Sequence, residues 1–169
     1  MKISKILLSV VVAFSLGNAD NLDNEKAQIE NIKNQITMFD KIGAKGFVEM
    51  KTDLLDILEG RLEVENKEYA ISQAQRTILQ SLSFGFATAI EKKDYDSFAK
   101  WVDIYKIEKE KIEPNIFLDF LIETKDIKFF QILKEKEIDK LGFFDDPKLS
   151  ILDYLSANKA SKEILKIFE

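Results

Sequence analysis

The chain has 169 residues and contains neither cysteine nor histidine, with only two prolines and six glycines. The absence of histidine excludes histidine-based catalytic triads, imidazole general bases, histidine zinc sites and histidine pH switches. The absence of cysteine excludes disulfide bonds and any lipid anchor attached through cysteine. Few prolines and glycines leave few breaks in regular structure, and the alternation of apolar and polar residues that is typical of strands is nearly absent. We therefore predict an all-α protein.

The chain also lacks the sequence motifs of common enzyme classes, namely the GxSxG nucleophile turn, the P-loop and the dinucleotide-binding fingerprint. Paired carboxylates can cleave a glycosidic bond, but a chain with 30 acidic residues contains such pairs whatever its function. Asp94 and Asp96 resemble a calcium-loop fragment without the EF-hand spacing, so Asp94 is expected to cap a helix. We predict a protein that is not an enzyme, with no catalytic, metal-binding or cofactor-binding residues and no cofactor.

Residues 1–19 have the pattern of a secretory signal peptide. Lys2 and Lys5 precede an apolar run over 6–16, and small residues stand at the last and third-last positions of the segment. The run is shorter than the roughly 20 apolar residues that span a bilayer, so we expect cleavage after Ala19 and no membrane anchor afterwards. Export of this kind places the protein in the bacterial periplasm.

The net charge of the whole chain is −5. Loss of the two leader lysines would leave 23 basic and 30 acidic residues, a net charge of about −7. Such a charge opposes binding to nucleic acid or to an anionic membrane surface. It favours solubility and is compatible with a basic protein partner.

Residues 20–82 form the predicted N-terminal helical region. A first helix is expected over 24–42, a second over 47–58, and a third that begins at Asn66 or Ser72 and ends at the boundary of this region. The first helix carries one apolar stripe: Ile29, Ile32, Ile36 and Phe39. This stripe can pack against the next helix of the same chain, or it can join two copies of the chain in a homo-oligomer. The sequence leaves both arrangements open.

Three segments of the C-terminal half are similar to one another: 86–95, 118–127 and 152–159. They begin 32 and then 34 residues apart (118 − 86 and 152 − 118). A period of about 33 residues is typical of helix–turn–helix units, which cannot bury their own apolar face and therefore stack on one another. We predict three pairs of short helices within 83–169, and the first of these helices starts near Phe84.

The residues of these pairs resemble ankyrin repeats in a worn form. Residues 116–121 and 150–155 look like the opening turn and helix of that family, and 129–133 and 164–168 look like its closing helix. The resemblance covers about 84–168. It implies an α-solenoid of stacked helix pairs, capped at one end by the N-terminal helical region.

Two features depart from the family pattern. The proline and histidine of the opening turn are missing throughout, and Lys93 and Lys125 stand where the family has a glycine between its two helices. These departures weaken each motif, so the resemblance depends on the period and on the paired helices together.

The resemblance also implies that the first helix of each pair lines a concave surface. Phe120 and Tyr154 then take the outward, variable positions, where Thr88 is the equivalent in the first pair. Phe143 and Phe144 fall in the projecting turn between the second and third pairs. We predict a partner-binding site composed of Phe120, Glu123, Phe143, Phe144, Asp145, Asp146 and Tyr154. The alternative is that these aromatic side chains fill the core, as we expect of Phe98 and Trp101.

These expectations together favour an exported protein that binds another envelope protein, as a scaffold, an accessory subunit or an inhibitor of the immunity-protein kind. One alternative is a structural component of an envelope assembly that self-associates through 24–42. A carboxylate-based glycan hydrolase is the third.

Overall fold

A computed structural model describes residues 21–108, 112–141, 143, 146 and 148–169. These residues form eight α-helices and a short 3-10 helix and contain no strand, which confirms the predicted all-α class. The helices are α1 (Asn21–Lys41), α2 (Lys45–Leu58), α3 (Lys67–Lys92), α4 (Tyr95–Glu108), α5 (Asn115–Thr124), α6 (Ile127–Glu135), α7 (Ile151–Ala157) and α8 (Lys162–Phe168), and the 3-10 helix is Ile138–Lys140. Among the described helices, none has both the length and the apolar character needed to cross a bilayer. The signal peptide predicted over 1–19 lies outside the described residues.

The apolar stripe of α1 packs inside the chain. Ile32 and Phe39 are fully buried, Ile29 and Ile36 are half-buried against the same core, and α1 contacts both α2 and α4. Gly43 lies in the turn between α1 and α2. Its φ is 70°, a value that glycine adopts without steric cost. Of the two arrangements open to this stripe, the structure therefore contains the intramolecular one.

Helix α3 differs from the sequence expectation. The sequence predicted one helix up to residue 82 and another from near Phe84, whereas the structure has a single helix of 26 residues that begins after the cap residue Asn66. The Asn66 side chain accepts a hydrogen bond from the Tyr69 backbone amide at 2.9 Å. Ser83 and Gly85 lie within this helix and do not interrupt it. Gly85 packs closely against the Trp101 side chain, and this contact leaves no room for a Cβ atom. The boundary drawn between 82 and 83 falls within α3.

The remaining helices follow one another along the chain at the positions that the sequence predicted. Helix α3 contacts α4 and α5, α4 contacts α6, and α6 contacts α8. The first helices α3 and α5 thus lie against each other, and the second helices α4, α6 and α8 contact one another in chain order. The predicted limits of pairs two and three agree with α5 to α8 to within a few residues.

The turn inside each pair is built in the same way three times. Lys93, Lys125 and Lys159 adopt the left-handed conformation with φ of 53°, 56° and 60°. They lie 32 and 34 residues apart (125 − 93 and 159 − 125), which is the spacing of the sequence repeats. A lysine in this conformation costs roughly 1–2 kcal/mol relative to the right-handed one, a cost that glycine avoids.

A side chain caps the second helix after each of these turns. Asp94, Asp126 and Ser161 accept hydrogen bonds from the backbone amides of Ser97 (3.0 Å), Lys128 (3.1 Å) and Ile164 (3.4 Å). The bonds from Ser97 lower the pKa of Asp94 below its ordinary value. The predicted capping role of Asp94 is confirmed.

Aromatic rings join successive pairs across one continuous core. The ring contacts between pairs are Phe86–Phe117 (4.7 Å between centroids), Tyr105–Phe117 (5.0 Å), Phe98–Phe129 (4.8 Å), Tyr95–Phe129 (4.8 Å) and Phe130–Phe168 (6.5 Å). The core continues into the N-terminal helices through Phe47, whose ring meets the edge of Trp101 at 5.9 Å. Phe98 is fully buried as predicted, and Trp101 is half-buried against this core.

A buried polar network connects α1, α2 and the end of α4. Lys51 Nζ lies 2.7 Å from Glu108 Oε1 and donates a hydrogen bond to Gln35 Oε1 at 2.8 Å. Gln35 Nε2 donates in turn to the Ile107 carbonyl at 3.1 Å. All three side chains are buried, at 4% exposure for Lys51, 3% for Glu108 and 6% for Gln35. Nothing in the sequence pattern indicated this network.

We expect Gly85→Ala to destabilise the fold by about 1–3 kcal/mol, because an alanine Cβ would lie 2.2 Å from Trp101 Cε2. Gly46→Ala is the matched control, since Gly46 also lies in a helix and has no atom within 4 Å of its added Cβ. That change should be neutral or stabilising by about 0.5–1 kcal/mol. Urea unfolding of the two variants measures the difference, and equal midpoints would contradict the tight packing at Gly85.

Lys51→Met should cost about 3–5 kcal/mol in the free energy of unfolding, because it leaves the Glu108 carboxylate buried without its cation. Adding Glu108→Leu to the same chain removes the unpaired charge and should restore most of that loss. The measurement is urea unfolding of the single and double variants. A double variant that is less stable than the single one would show that the ion pair itself, and not the unpaired charge, dominates.

Candidate protein-binding surface

One face of α3, α5 and α7 points away from the core. The buried residues of α3 and α5 lie on one side of each helix. Because a helix has 3.6 residues per turn, the residues between them lie on the opposite, outward side. We call this surface the first-helix face and define it by Phe84, Thr88, Glu91, Ile116, Asp119, Phe120, Glu123 and Tyr154. Glu91 and Glu123 lie 32 residues apart, at equivalent positions of α3 and α5, and both are glutamate.

Phe84 is the most prominent apolar side chain of the first-helix face. It is 75% exposed, more than the exposed aromatic Tyr69 at 63%. Thr88 follows one turn later on the same side of α3 and is half-buried. A phenylalanine held in water on a regular helix is an unfavourable arrangement that burial by a partner would relieve.

Tyr154 ties α7 to α5 across this face. Its hydroxyl donates a hydrogen bond to Asp119 Oδ1 at 2.5 Å, and its ring stacks on Phe143 with centroids 5.1 Å apart and an interplanar angle of 24°. Partial burial, together with the carboxylate acceptor, raises the pKa of Tyr154 well above its ordinary value. Tyr154 therefore presents only part of its ring to solvent.

The structure places the predicted site residues in different environments. Glu123 is exposed on α5, and Phe120 is half-buried one turn before it. Asp146 is exposed, and its Oδ1 accepts a hydrogen bond from the Lys148 backbone amide at 3.1 Å, as in a turn. Phe144 and Asp145 lie outside the described residues. The part that these residues take in partner binding stays a prediction.

The expectation that Phe143 projects into solvent is wrong. Its exposure is 6%, because its ring fills the space beneath Tyr154 and belongs to the common core. For this residue the core-filling alternative is the observed one. Phe143 supports Tyr154 through this ring contact and presents little surface of its own.

Sequence reasoning missed four residues of the first-helix face, namely Phe84, Glu91, Ile116 and Asp119. Phe84 lies four residues before Thr88 and therefore on the same side of the helix, a signal that was hidden by the predicted break at residue 83. Asp119 and Glu91 are ordinary acidic residues in the sequence. Asp119 is distinguished by its hydrogen bond with Tyr154, and Glu91 by its place on the outward side of α3, which contacts α5.

Two open clefts lie elsewhere on the surface. A cleft of about 290 Å³ is lined by Ile42, Gly43, Ala44, Ser97, Lys100, Trp101, Asp103 and Ile104. A groove of about 450 Å³ lies on the side of α4 and α6 and is lined by Lys93, Asp94, Tyr95, Asp96, Ala99, Lys128, Ile132, Glu135 and Lys136. Lys136 and Asp103 pair with each other at 2.6 Å, so the charges of these two residues are already engaged. Within the described ranges, no group of three or more acidic residues is arranged to hold a metal ion.

Comparison of the chain with protein-family models, with curated proteins and with solved structures found no match. The geometry of the first-helix face therefore carries the functional interpretation.

We expect Tyr154→Phe to lower the free energy of unfolding by about 1 kcal/mol, because the hydroxyl loses its bond to Asp119. Tyr69→Phe removes a hydroxyl from a side chain that is 63% exposed and should change stability by far less. Urea unfolding compares the two. The effect of Asp119→Ala is then measured in two backgrounds, the natural chain and the Tyr154→Phe variant. If Asp119→Ala lowers the free energy of unfolding by the same amount in both, the two side chains are not coupled and the prediction is contradicted.

Proposed function

We propose that the chain is an exported, non-enzymatic protein-binding module that acts in the bacterial periplasm. In this proposal residues 1–19 are removed on export, and the three helix pairs stack as an ankyrin-like α-solenoid. Helices α1 and α2 with the first half of α3 cover one end of the stack. The protein acts as a scaffold, an accessory subunit or an inhibitor of another envelope protein.

The arrangement of the helix pairs supports the solenoid. Contacts of α3 with α5, of α4 with α6 and of α6 with α8 are those expected when successive pairs stack in the same orientation. The left-handed turns at Lys93, Lys125 and Lys159 recur with the period of the sequence and occupy the place of the family glycine. A structural period that matches the sequence period favours repetition of one unit over an irregular helical bundle.

The single observation that carries the binding function is the exposure of Phe84 on the first-helix face. Repeat proteins use one extended face for recognition, and exposed aromatic residues on such a face are common centres of binding energy. Phe84 is 75% exposed, and half-buried Ile116 and Phe120 occupy the neighbouring α5 positions of the same face.

The self-associating alternative receives less support. It requires a free apolar stripe on α1, whereas Ile32 and Phe39 of that stripe are buried against the chain's own helices. Met38 and Ile42 are exposed at 46% and 47%, but Met38 lies on the side of α1 away from the stripe, and Ile42 follows the end of α1.

The mature chain should retain a specific protein from an envelope extract, and Phe84→Ser should abolish or strongly weaken this retention. An aromatic at the centre of an interface contributes about 2 kcal/mol or more, which corresponds to a loss of about 30-fold in affinity. Affinity capture followed by mass spectrometry of the retained proteins measures the effect.

Tyr69→Ser is the matched control for this experiment. It removes a second exposed aromatic from the same helix, 15 residues away (84 − 69) and therefore about 22 Å along the helix axis. Retention should be unchanged in this variant. Equal loss in both variants, or equal retention in both, would contradict binding through the first-helix face.

A further inference from the structure

The first helices carry charges of one sign on their outward side, whereas the second helices carry charges of both signs. Residues 84–91, 116–123 and 151–157 of the first helices contain no lysine or arginine. Their charged residues are all acidic: Glu91, Asp119, Glu123 and Asp153. Each second helix, in contrast, carries two lysines together with acidic residues: Lys100 and Lys106 with Asp96, Asp103 and Glu108, Lys128 and Lys134 with Glu135, and Lys162 and Lys166 with Glu163. The face that exposes Phe84 is therefore the anionic one.

Three lysines of the second helices have partners within the chain. Lys106 Nζ donates to the Lys136 carbonyl at 2.9 Å, and Lys134 Nζ pairs with Asp139 at 2.8 Å. Lys128 Nζ lies 4.0 Å from the centroid of the Tyr95 ring, in a cation–π arrangement.

The acids of the first helices are not engaged in this way. Glu91 and Glu123 are exposed, and within the described part of the chain neither of them forms an ion pair. Asp119 accepts only the neutral hydroxyl of Tyr154 among the contacts of the described residues. The first-helix face thus presents uncompensated negative charge around an exposed aromatic ring.

We propose that the first-helix face binds a segment of another protein that is rich in lysine or arginine and carries an apolar side chain to cover Phe84. This inference rests on the proposed protein-binding function and names the chemistry of the partner. Complementary charge speeds the approach of a basic partner and disfavours acidic competitors. Burial of the Phe84 ring contributes to the binding free energy by removing apolar area from water. A polyanion is repelled by this face, and a small cation leaves Phe84 in water.

The test uses two synthetic helical peptides with the same pattern of leucines and a single tryptophan. One has lysine at every remaining position and the other has glutamate. Fluorescence anisotropy measures their binding to the mature chain at low salt and at about 0.15 M salt, where the Debye length is about 8 Å. The lysine peptide should bind and weaken as salt rises, and the glutamate peptide should not bind.

Two charge variants locate the binding site. Glu91→Gln combined with Asp119→Asn and Glu123→Gln removes three charges from the first-helix face and should weaken the lysine peptide about tenfold, from several small losses of surface attraction. Asp96→Asn combined with Glu135→Gln and Glu163→Gln removes three charges from exposed positions of the second helices and should change affinity by less than about twofold. Phe84→Ser alone should weaken the lysine peptide as well.

The outcomes separate the partner chemistry from the function itself. If both charge variants weaken the binding of the lysine peptide equally, the peptide is attracted by the net charge of the protein and not by the first-helix face. If the lysine peptide does not bind, the partner is not a basic segment. Either result overturns this inference. If the glutamate peptide binds and Phe84→Ser abolishes its binding, the proposed basic character of the partner is wrong, but the proposal that this face binds a protein stands. The proposed function fails separately, when the capture experiment shows no dependence on Phe84.

Discussion

Aromatic packing between successive helix pairs is the interaction on which the rest of this structure depends. Helices α5 to α8 have between 7 and 10 residues, so each pair has too little apolar surface to fold alone. Phe117 meets Phe86 of the preceding pair, and Phe129 meets Phe98, so each pair completes the core of its neighbour. Large rings suit this purpose, because each buries much area and reaches across the gap between helix layers.

The N-terminal helices extend this core and orient it. Phe47 packs against Trp101, and the Lys51–Glu108 ion pair with Gln35 connects three helices at their meeting point. A buried ion pair contributes little net stability compared with an apolar replacement, because both charges have lost their hydration. Its effect is to disfavour other arrangements, since any shift of α1 or α2 relative to α4 would leave a charge buried and unpaired.

The same packing accounts for the character of the first-helix face. Burying Phe86, Leu118 and their neighbours on one side of α3 and α5 places Phe84 and Glu123 on the opposite side. Phe143 lies beneath Tyr154, and Tyr154 holds Asp119, so the surface over α5 and α7 is held in place from below. A face fixed in this way needs little reordering when a partner binds, which preserves binding energy.

Local spacing along the chain was enough to determine the all-α class, the limits of most helices and the capping role of Asp94, because a helix face depends only on residues three and four apart. It failed at α3, where Ser83 and Gly85 suggest a break, but Trp101 fits against the glycine and the helix continues. It also failed for Phe143 and could not foresee the pairing of Lys51 with Glu108. Those features depend on which distant faces meet, and tertiary packing decides this because the energies of burial and ion pairing arise only once the faces are in contact.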